Sequence, residues 1–487
     1  MTSTFNWRQL FKTLGILLIT ESVFILLSAC VSAIYDEYDL KYLLIAAAAA
    51  CGCGGCAFLL TKNADRTIGN REGYTIVGVV WVVFSFFGML PFWLSNAIPS
   101  VSDAFFETMS GFTTTGASIL NNVEALPHGL LFWRSLIQWL GGMGIVMLSL
   151  AVLPFLRGGN QLFMAEVPGP TYDKLQPRIK NTARRLWGIY LCLTLLETAL
   201  LYFGGMGLFD AMCHALTTMA TGGYSTKQAS IAYWDSPFIH YTIIVFMFIA
   251  GINFSLLYYS LVKHNFKKLF RDEEFRFYAL FVAGATLLIF VSLILSHPVE
   301  WGIAETFRHS LFQTVSIITT TGYATADYML WQPIAWMTLL FLMLMGASAG
   351  STSGGIKIVR ITVLLKNAIY EFKRLIHPKA ILPIRMNGHL VSENVVDNIF
   401  AFTTFYLIFI VASIFVLLFA GMGIEESVGA VVTSISNVGP GLGSLGPMGT
   451  FSAIPDVCKW YLSFVMLVGR LELFTIFLLF SPSFWRK

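Results

Sequence analysis

The 487-residue chain is 56% hydrophobic and only 12% charged, with a mean hydropathy of +0.71. Soluble domains carry about 25% charged residues, so this composition excludes a soluble enzyme and predicts an all-α polytopic membrane protein. The net charge of +4 gives little support to a nucleic-acid partner; the lipid bilayer is the expected surroundings.

In chain order, two apolar stretches at 13–34 and 42–61 come first, each near the roughly 20 residues that a spanning helix needs. They form an N-terminal extension over 1–72. A pattern of span, short run and span then recurs four times. Repeat one (73–160) has spans at 74–96 and 129–156 around a run at 101–113. Repeat two (161–270) has spans at 186–205 and 238–262 around 208–219. Repeat three (271–385) has spans at 277–296 and 335–365 around 303–319. Repeat four (386–487) has spans at 398–421 and 459–482 around 425–436. The four short runs cannot cross a bilayer and predict re-entrant half-helices.

Ten spans put both termini on one side. Basic residues gather on that face, among them Arg8, Lys12, Lys62, Lys263, Lys267, Lys268, Lys366, Arg374 and Arg486. The opposite loops hold few, such as Lys41, Lys227, Arg308 and Lys459. The positive-inside rule therefore predicts cytoplasmic termini. Leu27-Ser28-Ala29-Cys30 after a basic start is similar to a lipoprotein signal, but the apolar run continues through Ile34, which weighs against processing. Cys51, Cys53 and Cys56 lie in an Ala/Gly-rich span with no histidine nearby, so helix packing is expected there rather than a metal.

Each short run ends in a small-residue turn built on glycine: Thr113-Thr114-Thr115-Gly116, Ala220-Thr221-Gly222-Gly223, Thr320-Thr321-Gly322 and Asn437-Val438-Gly439. Gly116, Gly222, Gly322 and Gly439 are 106, 100 and 117 residues apart in turn. Non-helical backbone at membrane depth is tolerated only where it is buried in protein or lines a water-filled path. Four such turns about one axis can offer rings of carbonyl oxygens, which replace the water around a potassium ion without the tight grip of carboxylates. Glycine permits the positive φ that turns carbonyls inward. These four glycines are therefore expected at the centre of a filter. Thr115, Thr221, Thr321 and Val438 would donate the adjacent carbonyls, with Thr113, Thr114, Thr320 and Asn437 lining or buttressing them. The expected ligand is potassium, as both cargo and filter-bound ion, with no organic cofactor in this chain.

Two features read as gates. The stretch Gly346-Ala347-Ser348-Ala349-Gly350-Ser351-Thr352-Ser353-Gly354-Gly355 interrupts the overlong eighth span, and Lys357 beyond it is expected at the cytoplasmic mouth. A Gly/Ser packing face is the alternative. Arg470 is expected in mid-span of the last helix, facing the pore or an ion-pair partner, because arginine is costly in lipid. Glu472 is expected to pair with a neighbouring helix. Glu107 either attracts cations or hydrogen-bonds a neighbouring span, while Glu197 and Asn253 are expected in packing or hydrogen bonding.

Taken in order, Trp139–Gly144, Pro168–Arg178, Ala347–Lys357 and Gly469–Glu472, together with the four turns, resemble the Trk/Ktr/HKT superfamily of potassium-uptake proteins, in particular the bacterial Trk-type membrane subunit. The resemblance covers essentially the whole chain. It implies potassium uptake across the bacterial inner membrane through one pseudo-fourfold pore per protomer of a homodimer. It also implies that the 346–355 stretch is an obstructing intramembrane loop and Arg470 an electrostatic barrier. A cytosolic ring of regulatory subunits sensing ATP/ADP or NAD(H) is the implied partner, since no Gly-x-Gly-x-x-Gly unit follows a strand here. Glycine at Gly116, where sodium-favouring members have serine, implies potassium preference. Two rivals fit less well. A proton- or sodium-coupled symporter calls for inverted repeats and midplane carboxylates; a membrane enzyme calls for a nucleophile–base or metal constellation.

Overall fold

Runs of apolar residues this long have no stable state but helix inside a bilayer, and the computed structural model is built almost wholly of helices. It describes residues 5–64, 69–144, 179–296, 301–380 and 382–486. The second half of the fourth predicted span and the Pro168–Arg178 segment lie outside the described residues.

Helices α1 (Trp7–Tyr35) and α2 (Leu40–Leu60) form the N-terminal pair. They approach closely through Gly15 and Gly54, where a Cβ on either would come within 2.7 Å of the other's carbonyl oxygen. The packing face expected of Cys51, Cys53 and Cys56 is instead made by these glycines with Ala46, Ala47 and Ala50; the three cysteines are exposed.

The first repeat comprises α3 (Asn70–Gly88), continued by the short α4 (Leu90–Leu94), then α5 (Val101–Phe112) and α6 (His128–Gly142). In the second repeat come α7 (Ile179–Phe203), α8 (Leu208–Met219), α9 (Pro237–Ala250), α10 (Phe254–Leu261) and α11 (Phe266–Arg271). The third holds α12 (Glu273–Ser296), α13 (Ile303–Ile318), α14 (Pro333–Met345) and α15 (Ile358–Ile376). A two-residue hairpin follows, with Asn387 and Gly388 both at positive φ in the turn. The fourth is α16 (Glu393–Phe419), α17 (Ile424–Ser436), α18 (Asp456–Arg470), α19 (Phe474–Phe480) and α20 (Pro482–Trp485).

The half-helices are α5, α8, α13 and α17, and their sequences repeat one logic. Each carries an acid in its first turn (Asp103, Asp210, Glu305, Glu425), which complements the positive end of the helix dipole. Each ends in a glycine turn, followed by a short 3₁₀ turn and a helix with proline at its start: Pro127, Pro237, Pro333 and Pro455. Large apolar side chains on the outer helices, such as Leu195, Leu287 and Phe415, are exposed, as suits contact with lipid.

Two spans expected to run straight are broken. Helices α9 and α10 meet at 108°, and α18 and α19 at 117°. The first break has a local cause: Asn253 caps α10 by accepting from the Ser255 N–H at 2.8 Å, which starts a new helix. At the second, Glu472 and Leu473 both adopt positive φ, 53° and 47°. Arg470 is therefore the last residue of α18 rather than a mid-span residue.

Candidate ion pathway

The C-terminal ends of the four half-helices are followed by turns of one design. Positive φ recurs at every second residue: Thr114 and Gly116, Thr221 and Gly223, Thr320 and Gly322, Asn437 and Gly439. The backbone bonds agree. Thr115, Gly222, Thr321 and Val438 each donate an N–H to the carbonyl five residues back. The register expected for the second turn is thus corrected by one residue. Gly223, not Gly222, stands with Gly116, Gly322 and Gly439, and Gly222, not Thr221, stands with Thr115, Thr321 and Val438. Thr221 takes the place of Thr114, Thr320 and Asn437. Adjacent glycines made the two registers look alike.

The turns close on one another. A Cβ on Gly116 would overlap the Gly222 carbonyl, one on Gly223 the Thr321 carbonyl and one on Gly322 the Val438 carbonyl. One on Gly439 would sit 2.9 Å from the Thr115 carbonyl, which completes the circle. Side chains stiffen this ring. Thr113 and Thr115 share a hydroxyl bond of 2.8 Å, as do Thr319 and Thr321. Asn437 donates to the Thr115 hydroxyl at 2.9 Å and to the Met466 carbonyl at 3.0 Å.

On the glycine side of the ring lies a cavity of about 80 Å³ lined by Gly116, Gly223, Gly322 and Gly439. On the half-helix side lies one of about 1080 Å³, reached by Gly350, Gly355, Lys357, Arg470 and Glu472. Between them sits the Gly346–Lys357 stretch. It leaves helix at Gly346, whose φ of 66° and ψ of −173° suit glycine alone. The loop docks into the α9–α10 break, where Ser348 donates to the Gly251 carbonyl at 3.1 Å and Gly350 accepts from the Phe254 N–H at 3.0 Å. It also reaches three half-helix ends. Thr352 donates to the Met219 carbonyl at 3.1 Å, the Gly354 N–H donates to the Thr320 hydroxyl at 2.7 Å, and Gly354 lies against Ser436. Ala347 is fully buried and Ser351 bonds Ser353 at 2.8 Å.

Arg470 supplies the contact to the first turn. Its Nη1 donates to the Thr114 hydroxyl and to the Thr352 carbonyl, both at 3.0 Å. Its Nη2 donates to the carbonyls of Gly141 at 2.6 Å and Gly142 at 3.2 Å. Glu472 pairs with Arg360. Lys357, expected at the mouth, borders the large cavity but is largely buried, its ammonium folded back onto the Ser353 carbonyl and hydroxyl.

Sequence reasoning missed two residues of α6, one helical turn apart. Arg134 forms a buried pair with Glu107 at 2.7 Å, donates to the Ser225 carbonyl at 2.9 Å and stacks 3.5 Å from the centre of the Tyr224 ring. This settles the two roles left open for Glu107 in favour of hydrogen bonding to a neighbouring span. Gln138 donates to the Gly222 carbonyl at 2.6 Å and accepts from the Tyr224 N–H at 3.0 Å. An arginine within an apolar span was the available signal.

A family model described as "TrkH: Cation transport protein" matches residues 42–487. The chain is 37% identical over 486 residues to the Trk system potassium uptake protein TrkH of Escherichia coli K12, covering 99% of this chain and 100% of the relative. It is 34% identical over 490 residues to TrkG of the same organism, with 100% of each chain covered. The crystal structure of the potassium transporter TrkH from Vibrio parahaemolyticus is similar with a TM-score of 0.91 and 35% identity, covering 99% of this chain and 100% of that one.

Proposed function

The chain belongs to the TrkH family of cation transport proteins, and from that premise we propose that it takes up potassium through one pseudo-fourfold pore per chain. The observation that carries this reading is the closed ring of turns, each glycine set against the carbonyl preceding the next. A potassium ion shedding water at the small cavity would meet carbonyl oxygens of partial charge, which hold it without trapping it. The four half-helices point their C-terminal, partially negative ends at the ring, which favours a cation over an anion.

Below the ring, the Gly346–Lys357 loop and Arg470 form the gate in this reading. The loop fills the path with backbone, and Arg470 sets a positive charge beside it. Opening requires the Thr114–Arg470–Thr352 bonds to break together. The family relation also supports a homodimer in a bacterial inner membrane, with cytosolic subunits sensing ATP/ADP or NAD(H) acting on the gate. The exposed cluster of Lys263, Lys267 and Arg271 is a fitting docking face for them.

The test is flux into potassium-loaded liposomes containing the purified chain, wild type against Gly116→Ser. Potassium and rubidium flux in the wild type, with selectivity relaxed toward sodium in the variant, is the expected result. Absence of cation flux in both the wild type and Arg470→Ala would defeat the reading.

A further inference from the structure

The four turns are not equally supplied with side chains. The first has Thr113 and Thr115, and the third has Thr319 and Thr321, each pair joined by a 2.8 Å hydroxyl bond. The second has Ala220 and Gly222 at those places and so lacks both hydroxyls. Its missing support arrives from another helix. The Gln138 amide occupies the space that a Gly222 side chain would take, since a Cβ there would overlap that amide. It donates to the Gly222 carbonyl at 2.6 Å and accepts from the Tyr224 N–H at 3.0 Å, so it holds the turn on both sides of Gly223. Gln138 is fully buried, and Arg134 one turn earlier holds the Ser225 carbonyl and the Tyr224 ring. Among the described residues, no donor reaches the equivalent carbonyls of Thr115, Thr321 or Val438.

We infer that Gln138 is a specificity-determining positioning residue, setting the reach and electron density of one carbonyl in a four-carbonyl ring. The inference rests on the pore reading above. A carbonyl oxygen already accepting an amide hydrogen has one lone pair committed and is held at a fixed distance from the axis. The ring is therefore permanently asymmetric at the second repeat. Without that anchor, a turn built on Gly222 and Gly223 is free to close around a smaller ion, so discrimination against sodium falls.

The experiment uses the full chain with two readouts. One is rubidium and sodium flux in proteoliposomes. The other is the rise in thermal unfolding temperature of the detergent-solubilised protein with potassium in place of sodium, which reports ion binding whether or not the gate is open. Gln138→Met keeps the length and removes the hydrogen bonds. Gly222→Ala drives the amide away from the other side and stands in should Gln138→Met misfold. Each is expected to lower the potassium-over-sodium preference roughly three- to tenfold, the range for losing one ordinary hydrogen bond. The double variant Gln138→Ala/Gly222→Thr refills the space with a side chain, without the hydroxyl partner that Thr113 and Thr319 supply in the first and third turns. It is expected to recover part of that loss, a rescue that general destabilisation does not produce. Wild-type selectivity in Gln138→Met overturns the inference and leaves the pore reading standing. No flux and no potassium-dependent stabilisation in the wild type removes the pore reading and the inference together.

Discussion

Arg470 and Thr352 are joined by a 3.0 Å bond from the guanidinium Nη1 to the threonine carbonyl, which ties the last residue of α18 to the loop that interrupts the third repeat. The same nitrogen holds the Thr114 hydroxyl at 3.0 Å. One side chain of the fourth repeat thus fastens the third repeat's loop to the first repeat's turn. The loop itself is bonded to the ends of the second and third half-helices. A loop with contacts to all four repeats, directly or through Arg470, has the connections that the proposed gate would have to release together.

Arg470→Ala is expected to raise potassium leak in the absence of any partner. A unit charge about 7 Å from a passing ion, at an effective dielectric of about 20, opposes it by roughly 2 kcal/mol. That corresponds to about thirtyfold in rate. Arg470→Lys keeps the charge but loses the fork that binds Thr114, Thr352 and Gly141 at once, so its leak should fall between wild type and alanine. Rubidium influx into liposomes measures both. Equal leak in all three proteins would remove Arg470 from the path.

The ring glycines should differ in their tolerance of a methyl group. All four have positive φ, which costs a non-glycine residue about 1–2 kcal/mol. The overlap adds to this at Gly116, Gly223 and Gly322, where a Cβ would fall inside the next turn's carbonyl. At Gly439 the same atom would stand 2.9 Å away. Gly439→Ala should therefore keep the most flux and selectivity, and Gly223→Ala and Gly322→Ala the least. The corrected register is tested here as well, because Gly223→Ala must resemble Gly322→Ala.

The half-helices were legible because each is a short apolar run ending in threonine or asparagine and glycine between two spans; their ends fall within a residue or so of expectation. The register of the second turn was not, since Gly222 and Gly223 are both glycine and only φ separates them. The bend after Gly251 was hidden because an asparagine inside an apolar run reads as easily as a packing residue as a cap; Asn253 starts the new helix, and the loop that docks into the break lies a hundred residues away. Arg134 and Gln138 escaped notice inside an apolar span, although buried polar groups must find partners. The loop's obstruction and the role of Arg470 came from resemblance; the residues alone showed only an interrupted helix and a costly charge.

Stability should depend on pH through Asp39, at the cap between α1 and α2. Its carboxyl is raised above the ordinary aspartate range, chiefly by burial and also by the neighbouring Glu37 charge, while the 2.5 Å bond from the Ser32 hydroxyl opposes the shift. A raised folded-state pKa means that its full contribution is present below the unfolded value of about 3.9 and is lost as pH rises through the folded value. Asp39→Asn should keep the Ser32 contact and remove the loss. Its unfolding temperature should exceed that of wild type at neutral pH, and the difference should shrink as pH falls toward the unfolded carboxylate range. A variant equally destabilised at both ends would contradict this.

The buried Glu107–Arg134 pair should dominate the stability of the first repeat and couple it to the second. Arg134→Ala leaves Glu107 with only the Ile119 N–H at 2.9 Å and the Ser118 hydroxyl at 3.0 Å, and it strips Tyr224 and Ser225 of their brace. Removing one partner of a buried pair costs about 3–5 kcal/mol, because the other charge stays buried. Glu107→Gln keeps the hydrogen-bonding shape and leaves Arg134 its Ser225 and Tyr224 contacts, so its cost should be smaller. The double variant Glu107→Gln/Arg134→Met removes both charges and should cost less than the two single losses combined. Thermal unfolding in detergent measures all three. Additive losses would mean that the two side chains act separately. The coupling expected here instead makes α6 a strut, on which the first half-helix and the second turn are held by residues one helical turn apart.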